Sequence, residues 1–352
     1  MNAHFNRTWQ TLGGDAWPAW LEIIENFRNH LASLFNAKAH EFCPQVNLSS
    51  ALNKIIHGLP KRPSRNIIVL SELDFPSIGF VAKQATRAGY ELRFIKKPQD
   101  VTDPKVWEAA IGNDVQVVLA THVLSNTGQR LPIADIAQTA RKNNAYSVID
   151  VAQSAGVIPI DFNEWHADFV IGSCVKWLCG GPGAGFLWAA SAIIKDVEPI
   201  DVGWFSHADP FEFDIHEFRY ANDASRFMGG TPSVLPFVVA NAGLKILSEI
   251  GVANIADYNQ RLIDELITLL PEKLIQSPTD ANTRGGTIIV DLKSASDNDK
   301  FSSEFARAKI ACDRRSNGFR FSPHIYNTSN DIVTLADFLT RAHTQALSQA
   351  LS

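Results

Sequence analysis

Asp150 and Lys176 are the two residues of this chain whose types and surroundings are best suited to chemistry. Asp150 ends the apolar run AYSVID, and Lys176 lies between Val175 and Trp177 in the segment GSCVKWLCGGPGAG. A carboxylate buried at the end of a strand needs a cationic partner, because an unpaired buried charge is costly. A lysine in an apolar pocket loses proton affinity and becomes a nucleophilic amine. The pair therefore indicates covalent chemistry at an amine beside a buried acid.

An aspartate that holds a pyridinium nitrogen, combined with a lysine that forms a Schiff base, is typical of a site for pyridoxal phosphate (PLP). Each residue also has an ordinary alternative. Asp150 could cap a helix or form an ion pair, and the glycines that follow Lys176 could simply build a turn. The two residues together, in this order along the chain, favour the cofactor site.

Hydrophobic patterning predicts the elements that must position this pair. Apolar runs predict buried strands at residues 66–70, 91–95, 115–120, 145–150 and 169–171. Helical spacing predicts helices at residues 17–35, 50–57, 78–88, 104–111 and 133–143. This alternation predicts an α/β fold, a three-layer αβα arrangement with a mostly parallel central sheet. Ligands of such sheets bind beyond the carboxyl ends of the strands, where Asp150 lies.

The pattern changes after residue 200. Residues 201–232 show no clear period, and a smaller set of elements follows. These are predicted helices at 234–250, 252–270, 298–309 and 331–348, with strands at 285–292 and 319–321. We predict an N-terminal helical segment (1–40), a large PLP-binding domain (41–234) and a small C-terminal α+β domain (235–352).

Composition excludes several classes of protein. The chain has 352 residues with a net charge of −5, whereas a protein that binds nucleic acid through its phosphates needs a surplus of cations. No apolar run approaches the ~20 residues of a membrane span, and the N-terminus shows no secretory signal. Four scattered cysteines form no CxxC pair, and His166 and Asp168 lack further ligands at metal-binding spacing. We therefore expect a cytoplasmic protein with no metal, nucleic-acid or membrane partner.

Seven segments carry a family resemblance, and they occur in the order of the family over residues 14–328. They are DFPS from Asp74, THVLSNTG from Thr121, IDVAQSAG around Asp150, SCVKWLCGGPG around Lys176, GWFSHADPFEFD from Gly203, RFMGGTP from Arg226 and FRFSPHIYNT from Phe319. The chain resembles the class V aminotransferase superfamily of fold-type I PLP enzymes. Within that superfamily it is most similar to the kynureninases.

The resemblance implies roles around the ring of the cofactor. Lys176 would form the Schiff base and later move the α-proton, and Asp150 would keep the ring nitrogen protonated. Gln153 would donate a hydrogen bond to the phenolic oxygen. Phe75 would stack on the ring, although it could instead belong to the core. Thr121 would lie beside the ring.

The resemblance also implies contacts to the phosphate and to the substrate. Ser49 and the Leu48 backbone would meet the phosphate at the start of a helix, although Ser49 could be only an N-cap. Ser173 would be a further phosphate ligand. Trp204 and Thr231 would donate to the phosphate, Thr231 across a dimer interface, or would merely fill the interface.

Arg320 would bind the α-carboxylate of an amino-acid substrate with two hydrogen bonds. The resemblance further implies a homodimer with shared active sites. Its reaction would be the hydrolytic Cβ–Cγ cleavage of kynurenine to anthranilate and alanine.

Three positions depart from the kynureninase pattern, which has Tyr, His and Asp where this chain has Val175, Gln153 and Ile78. The N-terminus also lacks a counterpart of the Asp-Gly-Asn-Ser-Leu-Gly motif. Other class V reactions therefore stay open: an aminotransferase, an epimerase, a C–S lyase, or a cysteine desulfurase that uses Cys312. A non-enzymatic binding module is a third alternative, although retention of Asp150, Lys176 and Arg320 argues against it.

Overall fold

The computed structural model describes residues 2–97, 99–292, 298–315 and 317–350. Seven strands form the central sheet: β1 (Phe42–Gln45), β2 (Ile67–Ser71), β3 (Glu91–Ile95), β4 (Val115–Thr121), β5 (Tyr146–Asp150), β6 (Phe169–Ser173) and β7 (Gly185–Ala189). Their order in the sheet is β1-β7-β6-β5-β4-β2-β3. Strands β2 to β6 pair in parallel, and β7 is antiparallel to both of its neighbours. The sheet is thus mostly parallel, as predicted.

Helices cover both faces of this sheet. Along the chain they are α1 (Arg7–Leu12), α2 (Trp17–Leu34), α3 (Leu48–Gly58), α4 (Pro76–Ala85), α5 (Pro104–Ala110), α6 (Ile133–Lys142), α7 (Phe162–Trp165), α8 (Leu235–Ile250) and α9 (Val252–Leu269). Alternate strand residues separate two cores: Val69 and Val118 pack with α2, α5, α6 and α8, whereas Ile68 and Val117 pack with α3 and α4. This arrangement confirms the predicted three-layer αβα fold.

A second, antiparallel sheet follows. It contains β8 (Ile288–Val290), β9 (Asp313–Arg315) and β10 (Gly318–Phe321), in the order β8-β10-β9. Helices α9, α10 (Asn298–Arg307) and α11 (Ser329–Ala350) enclose one face of this small sheet in a core of its own. The division into domains at residues 40 and 234 stays a prediction.

Two elements differ from their predicted bounds, one strand and one helix. The strand predicted at 285–292 is confined to Ile288–Val290, and Gly285 and Gly286 before it pack so closely on neighbouring side chains that a Cβ would not fit. Helix α3 begins at Leu48, before the predicted Ser50, because the side chain of Asn47 caps it.

Among the described residues, no single helix has the length and apolar character of a membrane span; the bent pair α8 and α9 meets that test only when the two helices are combined.

The core of the small sheet yields a stability prediction. Phe319 is 2% exposed, and its ring centroid lies 5.0 Å from that of Phe305. Phe319→Ala should lower the free energy of unfolding by about 3–5 kcal/mol, because it opens a cavity in a packed core. Urea unfolding followed by circular dichroism measures the change. Phe80→Ala is the control, since Phe80 is 69% exposed. Equal effects of the two changes would contradict this description of the core.

Candidate active site

Two adjacent strand ends create the centre of the site. In the parallel register, Thr121 at the end of β4 lies opposite Asp150 at the end of β5. Asp150 is 6% exposed, and its Oδ1 accepts a hydrogen bond of 2.7 Å from the Ala152 amide. Burial raises the pKa of Asp150, while that hydrogen bond and the charge of Lys176 oppose the rise. A further cation at this carboxylate would stabilise its ionised form.

Lys176 lies in the turn between β6 and β7. Its Nζ is 5.6 Å from the centroid of the Phe75 ring. The side chain opens onto solvent, yet enough protein surrounds the amine that burial lowers the pKa of Lys176. The charge of Asp150 opposes this shift, whereas the charge of Arg320 adds to it. The structure therefore brings the predicted lysine and aspartate close enough for their charges to interact, and burial increases the unprotonated fraction of the amine.

The residues around this pair fit a flat heterocycle. Phe75 is 40% exposed and is therefore not a core residue, so part of its ring is accessible to a ligand. Gln153 is buried, and its Nε2 has no hydrogen-bond partner within the described part of the chain. A buried amide donor without an acceptor is unfavourable in the free protein. The phenolic oxygen of PLP would supply that acceptor, so the residues present fit the cofactor.

Asp74 is a site residue that the sequence analysis did not single out. Its Oδ1 accepts a hydrogen bond of 2.7 Å from the Thr121 hydroxyl, and its Oδ2 accepts one of 2.8 Å from the Ser71 amide. Burial raises the pKa of Asp74 to about 7, and the nearby Asp150 adds to the rise. The only available signal was its position directly before Phe75 in the DFPS motif. Thr121 is thereby oriented by a carboxyl that titrates near neutral pH.

Three of the predicted phosphate ligands lie toward the same end of the central sheet. Gly185 of β7 pairs with Gln45 of β1 and with Ser173 of β6, so the chain that leaves β1 enters α3 next to Ser173. Leu48 and Ser49 are the first two residues of α3, whose amides have no acceptor within the helix. The N-cap of this helix is Asn47, so the alternative of Ser49 as the cap is wrong.

Trp204 and Thr231 contact each other, with the indole Nε1 donating a hydrogen bond of 3.2 Å to the Thr231 hydroxyl. Thr231 also lines a cavity together with Ser50 of α3. Over the described ranges, neither residue forms a hydrogen bond, ion pair or ring contact with Lys176 or Asp150. Their roles as phosphate ligands, in one subunit or across two, stay predictions.

Arg320 connects the small sheet to the central sheet. Its Nη1 donates a hydrogen bond of 3.2 Å to the carbonyl of Ser125, in the THVLSNTG segment that follows β4. The other edge of the guanidinium makes a bidentate pair with Asp313, at 3.0 Å from Nε and 2.6 Å from Nη2. Burial lowers the pKa of Arg320, and Asp313 opposes that shift. Arg320, the predicted ligand of the substrate carboxylate, is thus already hydrogen-bonded to Asp313.

Several other cysteine, aspartate and histidine side chains are buried or bonded within the protein. Burial raises the pKa of Cys174 to about 12 and, with the charge of Asp313, that of Cys312 to about 11, so both are thiols at neutral pH. Asp168 accepts hydrogen bonds from the amide and hydroxyl of Ser147. His207 is 5% exposed and is therefore not a surface histidine.

The carboxyl of Asp74 yields a pH prediction for the protein without ligand. The folded chain retains this proton up to about pH 7, whereas the unfolded chain releases it near the ordinary pKa of 3.8. Between these values the folded state binds more protons, so stability falls as pH rises. The melting temperature of the wild type should decline more steeply between pH 4 and 7 than that of Asp74→Asn. Parallel pH profiles of the two proteins would show that Asp74 ionises normally.

One family model matches almost the whole chain. The model described as aminotransferase class-V covers residues 2–335. The uncharacterized aminotransferase YcbU of Bacillus subtilis (strain 168) is 27% identical over 320 residues, which are 91% of this chain and 84% of that protein.

Kynureninases are also similar to this chain. The kynureninase of Deinococcus radiodurans is 31% identical over 281 residues, which are 80% of this chain and 67% of that enzyme. The kynureninase of Pseudomonas fluorescens is 27% identical over 276 residues, which are 76% of this chain and 63% of that enzyme. The chain thus spans about two thirds of the length of these two relatives.

Solved structures share the fold. A C-DES variant with glycine covalently linked to its PLP cofactor has a TM-score of 0.86 at 22% identity, covering 96% of this chain and 91% of that one. The apo cysteine desulfurase of Thermococcus onnurineus NA1 has a TM-score of 0.81 at 22% identity, covering 95% of this chain and 86% of that one. Sequence match, site chemistry and fold agree: the chain belongs to the class V aminotransferases, a family of pyridoxal-phosphate enzymes.

Proposed function

We propose that this protein is a PLP-dependent enzyme that cleaves the Cβ–Cγ bond of an amino acid by hydrolysis, as in the conversion of kynurenine to anthranilate and alanine. The observation that carries the proposal is the position of the Lys176 amine over the Phe75 ring, beside the buried Asp150. The similarity to two kynureninases supports the choice of reaction.

The chain would hold the cofactor from three sides. Lys176 would bind its aldehyde carbon, Asp150 its ring nitrogen and Gln153 its phenolic oxygen, with Phe75 against the ring. The start of α3 and Ser173 would bind the phosphate. When bound, PLP supplies an electron sink for the electrons released at the α-carbon of an amino acid.

Asp150 contributes charge to this chemistry. Its carboxylate is buried, so its attraction for a protonated ring nitrogen is screened little by water. Placing a fixed negative charge at that nitrogen favours the protonated ring, which accepts electrons better than the neutral one. Asp150 thus acts by electrostatic preorganisation and gives up no proton itself.

Lys176 would have a second role as the base. In that role its Nζ would take up the proton from the α-carbon of a substrate held at the cofactor. Its lowered pKa leaves more of the amine unprotonated, as a base working near neutral pH requires. Arg320 would orient the substrate by its α-carboxylate, so that the α-hydrogen points at this amine.

A second candidate function is transamination. The similarity to YcbU, named an aminotransferase, extends over 91% of this chain and supports it. The desulfurase alternative has less support, because Cys312 is a thiol at neutral pH. Cys312 also lines a cavity with Phe305 and Phe319, on the core side of the small sheet.

The lysine assignment is tested by trapping the cofactor. Borohydride reduction of the PLP-loaded protein should attach the cofactor irreversibly to the peptide that contains Lys176, as seen by mass spectrometry. Lys176→Ala should lose both this adduct and the long-wavelength absorbance of the lysine-bound cofactor. Lys83→Ala is the matched control, since Lys83 is exposed on α4. An adduct that persists in Lys176→Ala would refute the assignment.

The reaction is tested with kynurenine. Anthranilate release, followed by fluorescence, should be detected with the wild type and should fall at least about 100-fold in Asp150→Asn, which removes the buried charge. Asp135→Asn, an exposed change on α6, is the control.

No anthranilate at high enzyme concentration would eliminate hydrolysis of kynurenine. Conversion of the bound cofactor to its amine form by an amino acid alone would then identify an aminotransferase. Sulfide release from cysteine would identify a desulfurase.

A further inference from the structure

One face of the small sheet carries two guanidinium groups toward the candidate site. In the antiparallel pairing of β9 with β10, Asp313 lies opposite Arg320 and Arg315 lies opposite Gly318. Because strand residues alternate between faces, Asp313, Arg315 and Arg320 share one face. The Arg320 contact with Ser125 shows that this face meets the segment that follows β4.

A single carboxylate links the two arginines. Asp313 Oδ2 accepts hydrogen bonds from Arg320 Nη2 at 2.6 Å and from Arg315 Nη2 at 2.8 Å. The two guanidiniums therefore lie on either side of one oxygen atom. Both also influence the pKa of Lys176 through their charges, so both lie near the reacting amine.

One donor of the Arg315 guanidinium has no acceptor among the described residues. Its Nε is buried and has no hydrogen-bond partner in the portion of the chain that the structure describes, although a guanidinium has five N–H donors. The side chain of Arg315 is 20% exposed, and its cross-strand neighbour Gly318 has no side chain to cover it. A buried donor without a partner is unfavourable in the free protein, so Arg315 is suited to an acceptor that arrives with the substrate.

The charges of the three groups limit what that acceptor can be. Two arginines and one aspartate have a net charge of +1, which a single α-carboxylate neutralises. A second carboxylate would leave an excess of negative charge in a half-buried site, whereas a neutral carbonyl oxygen would not.

We propose that Arg315 selects the substrate by donating a hydrogen bond to a neutral carbonyl oxygen at the γ-position of the amino-acid side chain. Arg320 holds the α-carboxylate, a role that rests on the proposed function. Asp313 holds the two guanidiniums close together, so that one substrate molecule can contact both of them. The preferred ligands are therefore amino acids with a γ-carbonyl, such as γ-keto amino acids and asparagine.

Binding to the PLP-loaded protein tests this proposal without requiring turnover. The protein is titrated with alanine, asparagine and aspartate, and binding is followed by the absorbance change of the bound cofactor. Asparagine and aspartate differ only in the γ-group, and alanine lacks a γ-group. The variants are Arg315→Met, which removes the donors, and Arg315→Lys, which keeps the charge without the planar guanidinium. Arg314→Met is the matched control, because Arg314 lines the cavity on the opposite face of β9 with Phe319. Melting temperatures verify that each variant is folded.

We expect the wild type to bind asparagine more tightly than alanine or aspartate. Both Arg315 variants should weaken asparagine binding about tenfold or more, the usual effect of losing a charged hydrogen bond, and change alanine binding less than about twofold. Arg314→Met should change neither affinity.

Equal losses for alanine and asparagine would overturn the proposal, because Arg315 would then bind the α-carboxylate. Tighter binding of aspartate than of asparagine would also overturn it, as would unchanged affinities in both Arg315 variants. The outcome is separable from the reaction: a wild type that releases no anthranilate but shows the Arg315-dependent preference would refute kynurenine hydrolysis and leave this inference intact.

Discussion

The site depends on keeping a buried carboxylate close to an amine that the protein partly shields from water. Asp150 is held at a strand end where burial raises its pKa, and Lys176 lies where burial lowers its pKa. The charge of each group partly opposes the effect of burial on the pKa of the other. A protonated heterocycle between them would relieve both, since it gives the carboxylate a cation and takes the amine into a covalent bond. The unsatisfied amide of Gln153 has the same explanation.

The parallel sheet satisfies this constraint because it aligns strand ends. Thr121 and Asp150 are neighbours by register, and the turn after β6 brings Lys176 over Phe75. The small sheet adds a second half to the site, since Arg320 reaches across to Ser125. The substrate would therefore lie between two separately packed cores. Recognition of its carboxylate would depend on the hydrogen bonds that position Arg315 and Arg320 on Asp313.

Much of the fold could be predicted because hydrophobic periodicity determines the parallel core. The predicted strands at 91–95 and 145–150 correspond to β3 and β5. Strand β1 was missed because it is short and contains Pro44, which an edge strand tolerates and a central strand does not. Strand β7 was missed because it begins within a run of glycines that resembles a turn. Its pairing with β1 is what brings the start of α3 to Ser173.

The candidate site was predictable where a residue type and a strand end coincide, as at Asp150. It was not predictable where the role comes from a contact between distant segments. Asp74 gains its significance from Thr121, and Asp313 gains it from Arg320 across a strand pair whose register no periodicity encodes.

A crystal structure of the protein grown with PLP is the most direct test of the central claim. We expect electron density continuous from Lys176 Nζ to the cofactor, with the ring on Phe75 and its nitrogen within hydrogen-bond distance of Asp150. A cofactor bound elsewhere, or a ring whose nitrogen points away from Asp150, would contradict it.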